Sequence, residues 1–260
     1  MKKGTLLVCA ALAAPFAQAD LAGAKSMMGN ALQNLGDQPV YTLYKAGTED
    51  NNGTVSNLVS ILVVRDLDPN PGAFDYRMEY RTYRNGSLVR RAAVDGARIW
   101  HYTVAGNSYS SFTYNQLAYA DRATATFRTL SKLIVGEDQI LVQTAQQAYE
   151  ASLNGQAYAA NKWLPWMPVS QIVSEVPNQT YQFLSQVPNT RSVTYNATEN
   201  PPGYLSLTNI TGRTSANRGG VTLKNDWSIS VDSNEFAGTD YTFSPPAGSR
   251  AIANSLVQGG

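Results

Sequence analysis

Residues 73–104 read AFDYRMEYRTYRNGSLVRRAAVDGARIWHYTV, and the arrangement of the chain around them follows from that stretch. Phe74, Tyr76, Met78, Tyr80 and Thr82 fall on one face of an extended chain, and Asp75, Arg77, Glu79, Arg81 and Tyr83 on the other, a period of two. Asn85-Gly86 accepts positive φ at both central positions of a type I′ turn, and Asp95-Gly96 repeats the device. Ala105-Gly106-Asn107 supplies a third reversal before SYSSFTY. Strands joined by connections this short pair antiparallel. Working upstream, NLVSILVVRDL (57–67) and PVYTLYKAG (39–47) add two more. Leu58 to Val64 is almost wholly apolar, the pattern of a strand covered on both faces. The spacing therefore predicts a twisted antiparallel meander from Tyr41 to Tyr114 that is able to curl.

Ahead of the meander, Ala24, Met27, Met28, Ala31, Leu32 and Leu35 recur at three- and four-residue spacing, and Gly36 is placed to end the helix they predict. Beyond it, Phe127, Leu130, Leu133 and Ile134 make a second helical face, and Ile140 to about Leu153 reads as a Gln-rich helix. NKWLPWMPVSQIVSEVP (161–177) is broken by three prolines. Strands return in QTYQFLSQ, RSVTYNA, GYLSLTNITGRT, GVTLKNDWSISVD and TDYTFSP, with no shift of composition to mark a domain boundary. The expectation is one α+β domain over residues 20–260, a curled antiparallel sheet interrupted by helices, with a helical and proline-rich insertion at about 136–200.

Residues 1–19, MKKGTLLVCAALAAPFAQA, carry Lys2 and Lys3, an apolar run and a small-x-small end, which is the layout of a cleavable signal peptide. Cleavage after Ala19 removes Cys9, the one cysteine, so the exported chain relies on its core without disulfides. No later run reaches the ~18 to 20 apolar residues of a membrane span. Without Lys2 and Lys3 the 20 basic residues become 18 against 19 acidic ones, a balance unlike that of a nucleic-acid binder. His101 is the only histidine, and GNSYS ends in Ser110 where a nucleophile elbow needs Gly, so a Ser-His-Asp site is not expected. One histidine and no mature cysteine argue equally against zinc. In DLDPNPG, Gly72 is one place late for a calcium loop and Arg77 stands where the bidentate Glu belongs. The reading is a non-enzymatic protein without cofactor or metal.

Four segments carry a family resemblance. VDGARIWHYTVAGNSY resembles the Asp-Gly and Trp-x-Tyr hairpin of the LolA/LolB-like periplasmic outer-membrane lipoprotein carriers, and VVRDLDPNPGAFDYRMEY is similar to the strand, arginine, loop and aromatic strand before it. TATFRTLSKLI stands where that family has a Thr/Phe/Leu helix, and YTFSPPAGSRAI resembles its terminal strand and Pro-Pro-x-Gly tail. The resemblance spans about Asp20 to Ile134 and the C-terminal strands. It implies a half-open (incomplete) β-barrel with helices covering the concave side, whose cavity takes acyl chains, and a periplasmic monomer that sorts lipoproteins to the outer membrane. The implied partners are acylated lipoprotein or lipid cargo, an inner-membrane release complex and an outer-membrane acceptor.

On that reading the cavity is lined by Phe74, Tyr76, Met78, Tyr80, Trp100 and Tyr102, closed over by Phe127, Leu130 and Leu133; ordinary core packing of the same rings is the alternative. Arg65 matches the arginine that bonds the lid helices in the family, while a local pair with Asp66 is the other reading. Trp163, Trp166 and Met167, in a rigid loop between prolines, form a candidate partner or membrane contact, or else a buried anchor. The competing function is an envelope sensor or regulatory interaction protein on the same fold. Export is directly measurable: N-terminal sequencing of protein recovered from the cell envelope should start at Asp20, and a retained Met1 would refute cleavage.

Overall fold

The computed structural model describes residues 27, 30–31, 34–35, 38–66, 76–95, 98–113, 171–176, 180–187, 191–218 and 221–252. Twelve strands make one sheet: β1 Val40–Asn51, β2 Thr54–Asp66, β3 Tyr76–Arg84, β4 Ser87–Val94, β5 Arg98–Thr103, β6 Ser108–Thr113, β7 Gln171–Val176, β8 Thr180–Val187, β9 Arg191–Glu199, β10 Leu205–Arg218, β11 Val221–Asp232 and β12 Arg250–Ala251. Their order is β12-β6-β5-β4-β3-β2-β1-β11-β10-β9-β8-β7, so the ends do not meet and the sheet is an unclosed, half-open barrel. Two meanders, β1–β6 and β7–β11, are joined where β1 pairs antiparallel with β11 from Thr42↔Asp232 to Asn51↔Leu223. Only β12 runs parallel to its neighbour, β6.

The turns follow their residues. Asn85 and Gly86 both have positive φ (50° and 80°), as a type I′ turn requires, and Asn52-Gly53 (48° and 89°) makes the same turn between β1 and β2. Tyr41, Thr42 and Leu43 are buried in succession in β1, and Ile61, Leu62, Val63 and Val64 in β2, so these parts of both strands are covered on both faces. Upstream, residues 27, 30, 31, 34 and 35 are helical, and Ala31 and Leu35 are buried. This end of the chain is tied to the β9–β10 connection: Asn34 Nδ2 donates to Leu205 O (2.7 Å) and Gln38 Nε2 to Tyr204 Oη (2.7 Å). The helices expected over 127–134 and 140–153 lie outside the described residues. The expected insertion at 136–200 is corrected at its far end, because Gln171 onward forms β7, β8 and β9 of the main sheet. Pro168 and Pro177 flank β7 without interrupting it, so its six residues keep every amide needed for the ladder.

Cross-strand partners share a face, which divides the sheet into two surfaces. Gly47, Trp227 and Gly212 are mutual partners on one of them. A Cβ on Gly47 would stand 2.7 Å from Trp227 Cβ, and one on Gly212 2.7 Å from Trp227 Cη2. We term this surface the inner face and the opposite one the outer face, and glycine is what lets the indole lie across its neighbours.

The outer face is closed by the chain's own C-terminal segment. Residues 233–249, which include the TDYTFSP expected as a strand, form no ladder; they run as a strap across β1 to β6 until Arg250 and Ala251 pair with Ser108 and Tyr109. Strap backbone is satisfied by side chains instead. Thr42 Oγ1 donates to Asn234 O (2.6 Å), Tyr44 stacks on Phe236, and Asn107 Nδ2 donates to Gly248 O (3.1 Å). At its centre is Glu79, only 2% exposed. It accepts from Arg81 Nε (2.9 Å), Arg91 Nε (2.7 Å) and the Asp240 amide (3.0 Å). Arg81 also donates to Gly238 O, and Arg91 to the carbonyls of Asp240 (2.9 Å) and Thr242 (3.3 Å). One buried carboxylate thus holds two arginines in place, and the arginines hold the strap.

Both devices are open to measurement. Gly47→Ala should lower the urea midpoint by the equivalent of about 1–3 kcal/mol, the usual cost of overpacking; an unchanged midpoint would mean that the inner face has slack. Glu79→Gln should cost about 3 kcal/mol, since it strands two arginines on a single partner site. Amide exchange should then quicken at 238–242 and not in β9 or β10, and uniform exchange would contradict a local clamp.

Candidate functional site

The inner face is best described in rows of registered residues. Tyr41, Val64, Met78 and Val94 form the first, and Leu43, Leu62, Tyr80 and Ala92 the second. All eight are buried. Across β11 the surface continues through Ile229, Ile210 and Tyr195 in one row and Trp227 and Val193 in the next, with Ala197, Leu207 and Tyr181 alongside, all buried too. An apolar floor therefore extends over β1–β4 and β8–β11.

Polarity changes along the strands. The third row of the first meander is Lys45, Ser60, Thr82 and Arg90, none of them fully buried. Lys45 Nζ stands 4.9 Å above the Trp227 ring, and burial pushes its ammonium down to about 8. Tyr80 Oη donates to Ser60 Oγ (3.4 Å), which ties the second row to the third. Further out, Arg84 and Glu49 pair at 2.9 Å.

The expected cavity residues separate. Met78 and Tyr80 lie on the inner face. Tyr76 opens β3 in register with Asp66, and Phe74, Phe127, Leu130 and Leu133 lie outside the described residues. Trp100 and Tyr102 do not share the face of Met78 and Tyr80, which corrects that expectation. The register shifts between Thr82 and Tyr83, where Val89 is the extra residue of a bulge in β4. An unbroken ladder from Arg84↔Ser87 would set Met78 opposite Ala93, hence on the side of Trp100. The bulge instead pairs Tyr80 with Ala92, and Ala92 with His101, so the histidine belongs to the inner face. Trp100 and Tyr102 pack outward on Phe243 of the strap, with ring centroids 5.8 and 5.7 Å away, over buried Ala93. They are core of the strap side, and their polar ends are met locally, Trp100 Nε1 by Asp95 (3.0 Å) and Tyr102 Oη by Asn107 (2.9 Å).

Arg65, expected to bond a lid or Asp66, forms an ion pair with Glu235 of the strap at 2.7 Å. It sits on the outer face, so it fastens the strap beside the Glu79 cluster. Trp163, Trp166 and Met167 lie outside the described residues. Among the described residues no three His, Cys, Asp or Glu side chains are gathered as a metal site would need, and no helix is long and apolar enough to cross a membrane. Sequence reasoning missed Lys45 and Trp227. A lysine two residues past Leu43 in an alternating strand was the available signal, and its registry with the tryptophan was not readable without the pairing of β1 with β11.

No protein-family profile matches this chain, and no curated protein sequence matches it significantly. Similar solved structures include an uncharacterized conserved protein from Thermus thermophilus, with 7% identity over 88% of this chain and 98% of that one and a TM-score of 0.40. The S-type phycobiliprotein lyase CPES from Guillardia theta shows 6% identity over 80% and 97% (TM-score 0.25), and MucB in complex with MucA(peri) 10% over 80% and 94% (TM-score 0.14). At these scores the likenesses establish neither family nor function; the architecture rests on strand order and register.

Proposed function

We propose that the protein is a periplasmic, non-enzymatic carrier that holds the acyl chains of lipoproteins, or another hydrophobic cargo, on the inner face of the half-barrel and delivers them toward the outer membrane. The observation that supports this reading is the continuous apolar floor of an unclosed sheet, lying opposite a face that the strap already closes. That floor is buried in the unliganded chain, so on this reading cargo enters by displacing what covers it, apolar contact replacing apolar contact. Each buried CH₂ contributes roughly 0.8 kcal/mol, so ten methylenes supply about 8 kcal/mol of capture without covalent chemistry. Broad apolar area with few polar groups suits cargo of variable protein sequence and common lipid chemistry. Release then calls for a competing acceptor at the outer membrane, with the Trp163, Trp166 and Met167 loop as the contact.

Native mass spectrometry of protein purified from the envelope should show a population heavier by one or more acyl-bearing molecules, and organic extraction should return them. Consistently empty protein that also fails to bind a fluorescent fatty acid would end the carrier reading.

A further inference from the structure

The strap lies on the outer face in the manner of a bound peptide. Residues 233–249 carry Glu235 and Asp240 and no basic side chain, whereas the outer face of β2–β4 brings Arg65, Arg77, Arg81 and Arg91 together, among the described residues, with one carboxylate, Glu79. The contacts concentrate on a short unit, Asp240-Tyr241-Thr242-Phe243. Arg91 Nη2 donates to Asp240 Oδ2 (3.1 Å) as well as to the carbonyls of Asp240 (2.9 Å) and Thr242 (3.3 Å). Asp240 Oδ1 accepts from Thr242 N (2.9 Å) and Thr242 Oγ1 (2.7 Å), a local turn that fixes the spacing between the carboxylate and the side chain after it. That side chain, Phe243, is the one buried residue of 233–249. Ala93, Trp100, Tyr102 and Tyr109 receive its ring, and the Arg91 guanidinium stands 5.4 Å from the ring centroid. An acid read by an arginine and an aromatic anchor seated in a pocket are the two halves of a peptide-recognition site.

The hold on the strap is of a kind that exchanges. Its other residues are partly or fully exposed, it adds no ladder of its own before Arg250, and Arg250 and Ala251 make two registered pairs with β6. A segment with one buried anchor and solvent-exposed backbone belongs to the low-stability end of a fold, so it opens while the strands beneath stay bonded to one another. We infer that this groove is a docking site for an extended segment of a partner polypeptide that presents Asp-x-x-Phe, an acid and an aromatic ring at the spacing of Asp240 and Phe243, and that the strap fills the groove in cis as a built-in competitor. Arg91 reads the carboxylate and the two carbonyls, and the pocket over Ala93 reads the ring. Tethering gives the strap an effective concentration on the order of millimolar, so a partner segment must either exceed that or bind more tightly than the strap does. The inference uses the outer face alone and is independent of the carrier reading.

The test is fluorescence anisotropy of labelled peptides with the full-length protein. The probes are the strap sequence SNEFAGTDYTFSPPAGS, a Gly/Ser peptide that keeps only Asp-Tyr-Thr-Phe, and a scrambled peptide of the strap's composition. Phe243→Ala in the protein removes the anchor of the cis competitor and leaves the groove whole, so it should bind the strap peptide about tenfold or more tighter than wild type does. The Gly/Ser peptide should bind within several-fold of the strap peptide. Asp240→Asn or Phe243→Ala in the strap peptide should each weaken it about tenfold, the size of one charge-assisted hydrogen bond or one buried ring. Amide exchange of wild-type protein covers the case in which the variant fails to fold: excess strap peptide should quicken exchange at 236–243 and leave β9 and β10 as they were. Scrambled peptide binding as well as the strap peptide, or peptide binding that leaves exchange at 236–243 unchanged, overturns the inference. So does a dimer, seen by light scattering, that exchanges straps between copies and takes up no peptide. None of these failures touches the inner face, so the carrier reading stands or falls by its own experiment.

Discussion

The pairing of β1 with β11 is the constraint on which everything else depends. It joins strands from opposite ends of the described chain along ten registered pairs, and it turns two separate meanders into one surface. Each meander closes through turns of a few residues, whereas this ladder must close a loop of most of the chain, so its entropic cost is the largest in the fold. Gly47 lies in the middle of it, opposite Trp227, and crowding there leaves no room for even a methyl group. The same contact that closes the sheet also positions the indole beneath Lys45. Assembly of the sheet and placement of the indole beneath Lys45 are thus one event.

The two faces solve the problem of burial by different means. On the outer side the fold uses charge: Glu79 gathers Arg81 and Arg91, and their remaining N–H groups take the carbonyls of a segment that has no strand partner of its own. Directional bonds suit a strap that crosses strands instead of lengthening them, because each carbonyl finds a donor wherever an arginine can reach. Aromatic contact finishes the work at Phe243, between Trp100, Tyr102 and the Arg91 guanidinium. Among the described residues apolar rows dominate the inner side, and polar groups collect at one border.

How much of this could be read in advance is clear from particular residues. Alternation in 76–83 and the Asn85-Gly86 turn gave the meander and put Met78 and Tyr80 on one face of it, since period and turn chemistry are local properties. The unclosed sheet matched the half-open barrel implied by the family resemblance; the segments expected as covering helices, 127–134 and 140–153, lie outside the described residues. Trp100 was misplaced by a single residue of register. No glycine marks the bulge at Val89, and one uncounted residue exchanges the faces of all later strands. The strap was also illegible, because TDYTFSP alternates like a strand while its partners are side chains supplied by β3 and β4. Arg65 showed its importance as a charge at the end of an apolar strand but not its partner, Glu235, which lies 170 residues away.

The short parallel pair at the chain's end has a further meaning. Arg250 and Ala251 occupy the flank of β6, where the amide of Arg250 donates to Asn107 O and that of Ile252 to Tyr109 O. Without them β6 would be a bare edge, a template on which other chains add strands. Residues 250–252 therefore act as a guard against self-assembly, held at a distance by the Glu79 clamp. Any fusion or trimming at the C-terminus works directly on that guard, so the solubility of the protein is linked to a carboxylate buried four strands away.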